Sequence, residues 1–94
     1  MEIEFTGRIW TWRGPAPRYF VTVPARHSRA LQEIVGFVTY GWGMVPVDVR
    51  IGRTEWYTAL WPKDGRYIVP LKARVREAEG LEEGDRVKVG LTVR

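Results

Sequence analysis

The sequence predicts a mainly β domain with two short helices, closed into a small barrel built from two β-β-α-β repeats. Three observations carry this. Apolar residues fall mostly in runs that alternate with polar ones, as half-buried strands require. Two stretches instead space them by three and four, as amphipathic helices do. The order strand, strand, helix, strand then occurs twice within 94 residues, a length that suits one domain and leaves no room for a second core.

In the first half, Ile3, Phe5, Gly7 and Ile9 alternate with Glu4, Thr6 and Arg8. A loop of turn formers, "RGPAP", leads to Tyr19, Val21 and Val23, which alternate with Arg18, Phe20 and Thr22, so the two runs form a hairpin. Pro24 ends the second strand. "HSRALQEIVGFV" then lines up Leu31, Ile34 or Val35, and Val38 on a helix, with Ser28 placed as its cap. Gly41 and Gly43 supply the backbone freedom for the turn out of that helix, and Val45, Val47, Val49 and Ile51 alternate with Pro46, Asp48 and Arg50.

The second half repeats the order. Gly52-Arg53 echoes Gly7-Arg8, and "RYIVP" from Arg66 echoes "RYFVTVP" from Arg18, giving one domain over 1–94 with repeats of approximately 1–51 and 52–94. Pro62-Lys63-Asp64-Gly65 has the chemistry of a hairpin turn. Leu71, Val75 and Ala78 mark a short helix stopped near Gly80, and Val87, Val89, Leu91 and Val93 share one face of a last strand. Each half alone would expose apolar faces and open edges, so mating the halves in a barrel buries both. One chain thereby imitates a symmetric dimer.

The lack of cysteine excludes a disulfide framework, a thiol nucleophile and the usual zinc ribbons. The amino terminus has neither the basic region nor the long apolar core of a signal peptide, and no stretch is long enough to cross a bilayer, so the expectation is a cytoplasmic protein without membrane contact. Formal charge is +4 and the isoelectric point about 9.9, a balance that attracts anions before it specifies one.

"GRIW", "FVTVP", "GWGMVPVDVRIG" and the tryptophan-threonine step in "EWYTALWPKDGRYIVPLKARVREAEGLEEGDRVKV" together resemble the bacterial family called domain of unknown function 1905, over nearly the whole chain. The resemblance implies a double-split β-barrel, related in shape to the dimeric barrels of transition-state regulators and antitoxins. It implies no reaction, since the family has no assigned activity and a fold does not fix a function. The chain departs from the family pattern at Ala59, Leu60 and Trp61, and the serine hydroxyl expected after Thr58 is missing.

Catalytic chemistry finds no foothold. His27 is the single histidine, and its neighbour Ser28 points elsewhere on a helix. Glu77, Glu79, Glu82 and Glu83 read as solvated surface. One histidine and no cysteine leave only oxygen ligands, without a calcium-loop pattern, so neither metal nor cofactor is expected. Phosphate-loop and GxGxxG patterns are missing as well.

The informative excess is tryptophan, five residues in all. Strand phase sets Trp10 and Trp12 opposite Ile3, Phe5 and Ile9, and Trp56 with Thr58 and Leu60, leaving Tyr57 and Trp61 on the other face. Aromatic walls with a few charged groups describe small-molecule sites. The leading expectation is therefore a non-enzymatic binding domain for a small aromatic or anionic ligand, with Trp10, Trp12, Trp42 and Trp56 stacking and Arg53, Lys72 and Arg76 orienting charge. The alternative is a DNA-binding barrel whose Arg8, Arg18, Arg50 and Arg53 contact phosphates. A third reading is a protein-interaction module using an uncovered strand edge. The expected state is a monomer or weak homodimer. Within the motif Gly41-Trp42-Gly43, backbone demands explain the glycines, and Trp42 either caps the barrel end or lines an opening in it.

Overall fold

The computed structural model describes residues 1–38 and 43–94, and of residues 35–38 the backbone only. Its elements are β1 (Glu2–Trp12), β2 (Arg18–Thr22), α1 (Ala25–Val38), β3 (Val45–Ile51), β4 (Thr54–Lys63), β5 (Arg66–Leu71), α2 (Ala73–Glu79) and β6 (Arg86–Val93). The six strands close into an antiparallel barrel in the order β1-β2-β5-β4-β3-β6. The mainly β expectation with two helices is met.

Closure depends on two long strands that each change partner midway. β1 pairs with β6 over Glu2–Arg8 and with β2 over Ile9–Trp12. β4 likewise pairs with β3 over Thr54–Leu60 and with β5 over Trp61–Lys63. The barrel thus has two walls, one centred on β2 and β5, the other on β3 and β6, and each strand has a neighbour on both sides. Each half of β1 and of β4 is nevertheless paired on one side only, Glu2–Arg8 with β6 and Ile9–Trp12 with β2, Thr54–Leu60 with β3 and Trp61–Lys63 with β5.

Turn chemistry fixes the registers. Asp64 and Gly65 both take positive φ, 50° and 78°, between the paired Lys63 and Arg66. This is the Asp-Gly two-residue hairpin whose twist matches that of the strands. Gly52 takes a φ of 60° in the two-residue loop between Ile51 and Thr54. Gly7, by contrast, sits within β1 opposite Val87, so Gly7-Arg8 and Gly52-Arg53 occupy unlike places and their echo is not structural. Arg18 and Arg66 do correspond in place, each opening its strand.

The inward phases fill the interior. Ile3, Phe5, Ile9, Val21, Val23, Val47, Val49, Trp56, Leu60, Val69, Val89 and Leu91 belong to one buried cluster, with Leu31 of α1 and Val75 of α2 packed into it. Gly7 is required where β1 passes β2, since a Cβ there would lie 2.6 Å from Val21 Cγ1.

α1 begins earlier than its cap residue suggested. Its first turn is closed by the Ser28 N–H donating to Pro24 O at 2.9 Å, so Ser28 is inside the helix rather than at its cap. The fully buried hydroxyl donates to Val23 O at 3.1 Å and accepts from the Tyr67 N–H at 3.2 Å, tying α1 to β2 and β5. The side chains of Val35 and Val38, assigned to the apolar stripe, lie outside the described residues. α2 ends at Gly80, whose φ of 63° is the left-handed stop expected there.

Candidate functional site

Strand alternation sends Trp10 and Trp12 of β1, Phe20 of β2, Trp61 of β4 and Ile68 of β5 to the outside of the β2–β5 wall. Outward residues of a barrel normally face water, yet Phe20 is 0% and Ile68 1% exposed. They are covered by their neighbours. The ring centroids of Trp10 and Trp61 each lie 5.2 Å from Phe20, and that of Trp12 lies 5.9 Å away. These are the tilted geometries that aromatic quadrupoles favour. Trp10 is further fixed by donating from Nε1 to Thr22 Oγ1 at 2.9 Å. Trp12 remains 46% exposed at the rim.

Cations ring this layer. Arg18 Cζ lies 5.5 Å from the Trp61 ring, Lys63 Nζ 5.1 Å from that of Trp12, and Arg76 Cζ only 3.8 Å from that of Tyr19. The last is a close cation–π stack. Lys72 flanks it, with Nζ donating to Tyr57 O at 3.3 Å. Lys72 is the residue before α2, in extended conformation, so it and Arg76 converge on one cleft from a loop and a helix. Arg76 Nε is buried and meets no acceptor among the described residues. Glu79, which the sequence places on a solvated surface, accepts a 2.6 Å bond from Thr54 Oγ1.

Two adjoining clefts result. One, of about 330 Å³, is lined by Trp12, Arg13, Gly14, Ala16, Arg18 and Trp61. The other, of about 360 Å³, opens where β4 leaves β5 for β3, and Trp61, Arg18, Tyr19, Phe20, Lys72 and Arg76 carry its chemistry. They share Trp61 and Arg18, and among the described residues no carboxylate lines either.

The residues singled out from sequence are partly gathered here. Trp10 and Trp12 lie on this wall, and Lys72 and Arg76 in its second cleft. Trp56 does not join them: its phase in β4 turns it inward, 4% exposed, paired across from Val49. Its indole nitrogen is buried without a partner among the described residues. Arg53 stands exposed in the β3–β4 turn, apart from both clefts. Trp42, expected either to cap the barrel end or to line an opening, lies outside the described residues. Gly43 takes a φ of 75°, as a turn glycine does.

The arginine set proposed for DNA is dispersed. Arg18 is in the groove, Arg8 faces Arg86 across the β1–β6 ladder, and Arg50 lines a cleft with Glu2, Glu4, Asp48 and Glu55 on the opposite wall. Sequence reasoning missed Phe20, Trp61 and Arg13 as members of the groove. The signal was available at Phe20, a large apolar residue in the otherwise polar phase of β2.

The protein is thus a small closed antiparallel barrel carrying an aromatic and basic groove on one outer wall. It belongs to the family of the domain of unknown function DUF1905, whose model matches residues 5–91. A search of curated proteins found no match. Among the described residues, no cluster of histidine and carboxylate side chains is arranged to hold a metal ion, and no helix is long and apolar enough to cross a membrane.

Proposed function

We propose that the protein is a binding domain whose β2–β5 groove takes a small ligand with a flat ring and an anionic group. The observation that carries this reading is the pair of clefts sharing Trp61 and Arg18, with Arg13, Arg18, Lys72 and Arg76 along them and, among the described residues, no carboxylate. A flat ring stacks on the indoles while the cations hold the anion, and such surfaces favour ligands that bring both. The reading shifts the site from the expected set to Trp12, Trp61, Arg13, Arg18, Lys72 and Arg76, with Trp10 as a packed support. Titration of tryptophan fluorescence with a panel of aromatic anions, nucleoside monophosphates included, is expected to show saturable quenching. Removing one cation, in Arg76→Gln, should weaken binding by about tenfold, the value of a charge-assisted hydrogen bond. Absence of quenching across the panel would sink the reading.

We further infer that the barrel is of the double-split kind, made from two β-β-α-β repeats. The ladders support this, because exchanging the halves maps each register onto another. Trp10 opposite Phe20 corresponds to Trp61 opposite Ile68, and Phe5 opposite Val89 to Trp56 opposite Val49. The pairs Val21–Val69 and Arg50–Gly90 map onto themselves, which supports a pseudo-twofold relation between the halves. Helical order agrees, α1 and α2 each following the second strand of its half.

A further inference from the structure

The groove repeats its own chemistry, and from that repetition we infer that its occupant is single-stranded nucleic acid, an inference that rests on the groove being a ligand site. A ligand with one ring and one charge needs a single cleft. Three lie in series on this wall, each pairing an indole with at least two cations. The first, of about 330 Å³, sets Trp10 beside Lys63 and Arg66. The second sets Trp12 and Trp61 beside Arg13 and Arg18. The third sets Trp61 beside Arg18, Lys72 and Arg76.

The clefts are joined rather than scattered. The second and third share Trp61 and Arg18. The first and second meet where Trp10 and Trp12 come within 6.3 Å, and Lys63, which lines the first, reaches to 5.1 Å from the Trp12 ring of the second. One carboxylate, Asp64, lines the first cleft, and it is held by Lys63 at 2.8 Å. A chain of flat rings alternating with phosphates matches this sequence of indoles and cations step for step. Bases stack on aromatic rings whatever their identity, and cations beside them follow the backbone. A duplex fits poorly, because its bases present their edges, while a partly sunk ring such as Trp12 needs a base face.

The test compares probes of one chemistry but different length and strandedness: thymidine monophosphate, an oligothymidylate of about ten nucleotides, its duplex with oligoadenylate, and inorganic polyphosphate. Binding is read by tryptophan quenching and by anisotropy of labelled probes. The oligothymidylate is expected to bind at least about tenfold tighter than the monophosphate. Its affinity should fall with salt at a logarithmic slope of about −3.5, as neutralisation of five phosphates by Arg13, Arg18, Arg66, Lys72 and Arg76 requires for a single strand. Trp12→Ala should weaken it between about fivefold and a hundredfold. Trp61→Phe, which keeps a ring over Phe20, should weaken it less. Tyr57→Ala, which removes an equally exposed ring from the opposite wall, should leave it unchanged, and thermal melting of each variant separates lost folding from lost binding. If the monophosphate binds as tightly as the oligomer, the groove remains a small-ligand site and the polymer inference falls. If duplex or polyphosphate equals the oligomer, stacking is not the basis of recognition and the inference falls too. Silence from all four probes, with the aromatic-anion panel also silent, overturns the groove itself.

Discussion

The two outer walls of the barrel differ where their ladders do not. On the β3–β6 wall, outward residues obey the ordinary rule for a sheet facing water: Glu2, Glu4, Asp48, Arg50, Glu55, Lys88 and Thr92 alternate with the core-facing set. Ion pairs such as Glu4 with Lys88 at 3.3 Å join them, and exposed pairs of this kind contribute little. On the β2–β5 wall the outward positions hold a second apolar layer, centred on Phe20 and Ile68 and roofed by Trp10, Trp12 and Trp61. Barrel closure needs only the inner set. An aromatic layer on the outside costs solubility unless it is covered or used, and here it is rimmed by cations, which is why the functional reading rests on that wall.

The sharpest way to break the contrast is to delete one outward side chain from each wall. Phe20→Ala should cost about 3 to 5 kcal/mol, the usual loss for a fully buried ring, even though the residue faces away from the barrel core. Thr92→Ala, outward and exposed on β6, should stay within about 0.5 kcal/mol. Urea denaturation of both variants checks it. Equal effects would mean that the aromatic layer is decoration and not a core.

Two strand glycines offer a smaller contrast. Gly7 faces inward at the crossing of β1 and β2, and a methyl group there would press on Val21. Gly7→Ala should destabilise by about 1 to 3 kcal/mol, the range for overpacking. Gly90 faces outward on β6, where an added methyl carbon would lie 3.9 Å from Arg50, ordinary contact without a positive φ. Gly90→Ala should stabilise by about 0.4 to 1 kcal/mol through the unfolded chain. Urea denaturation again reads both. A stabilised Gly7 variant would show that the packing at that crossing is looser than it looks.

Much of this was legible in the sequence, and the gaps have physical causes. Period-two phase assigned Trp10 and Trp12 to the outside and grouped Trp56 with Thr58 and Leu60. Choosing Trp56 for the site by residue type overrode that phase, and the barrel interior claimed the ring. The partner changes in β1 and β4 leave a mark in the pattern: past Ile9 the apolar residues move to the other phase at Trp10 and Trp12, and Ala59 and Leu60 are buried in succession where β4 changes neighbour. The covered outer wall leaves another: "YFV" and "YIV" are consecutive apolar residues, which a strand covered on both faces shows and a half-exposed one does not. Ser28 misled because a serine near a helix start suits a cap as well as the buried link it makes between α1, β2 and β5.

Within the aromatic wall, Trp10→Phe keeps the ring over Phe20 and removes the indole donor to Thr22. The expected cost is about 1 kcal/mol, one hydrogen bond, with the groove's ligand binding retained, since the phenyl ring keeps an aromatic face in the first cleft. Loss of binding without loss of stability would show that the ligand needs the indole itself.

The smallest effect belongs to the other wall and tests whether its charges do more than solvate it. Arg94 grips Asp48 with Nε on Oδ2 and Nη2 on Oδ1, both at 2.9 Å, and its Cζ lies 4.6 Å from the Tyr57 ring. The hydrogen bonds from Arg94 above all, and its charge besides, hold the Asp48 carboxyl below its ordinary value. A lowered carboxyl stabilises the fold above the unfolded-state value and loses that contribution as pH falls through the folded one. Arg94→Ala should therefore return the Asp48 titration, followed by carboxyl NMR shifts, upward toward the ordinary range. It should narrow the stability gap to the native chain as pH drops through acid. Because both side chains are solvated, the gap at neutral pH should stay small beside that of Phe20→Ala. A gap that instead widened on acidification would assign the pair a role other than this electrostatic one, and the two walls would be less unlike than their surfaces suggest.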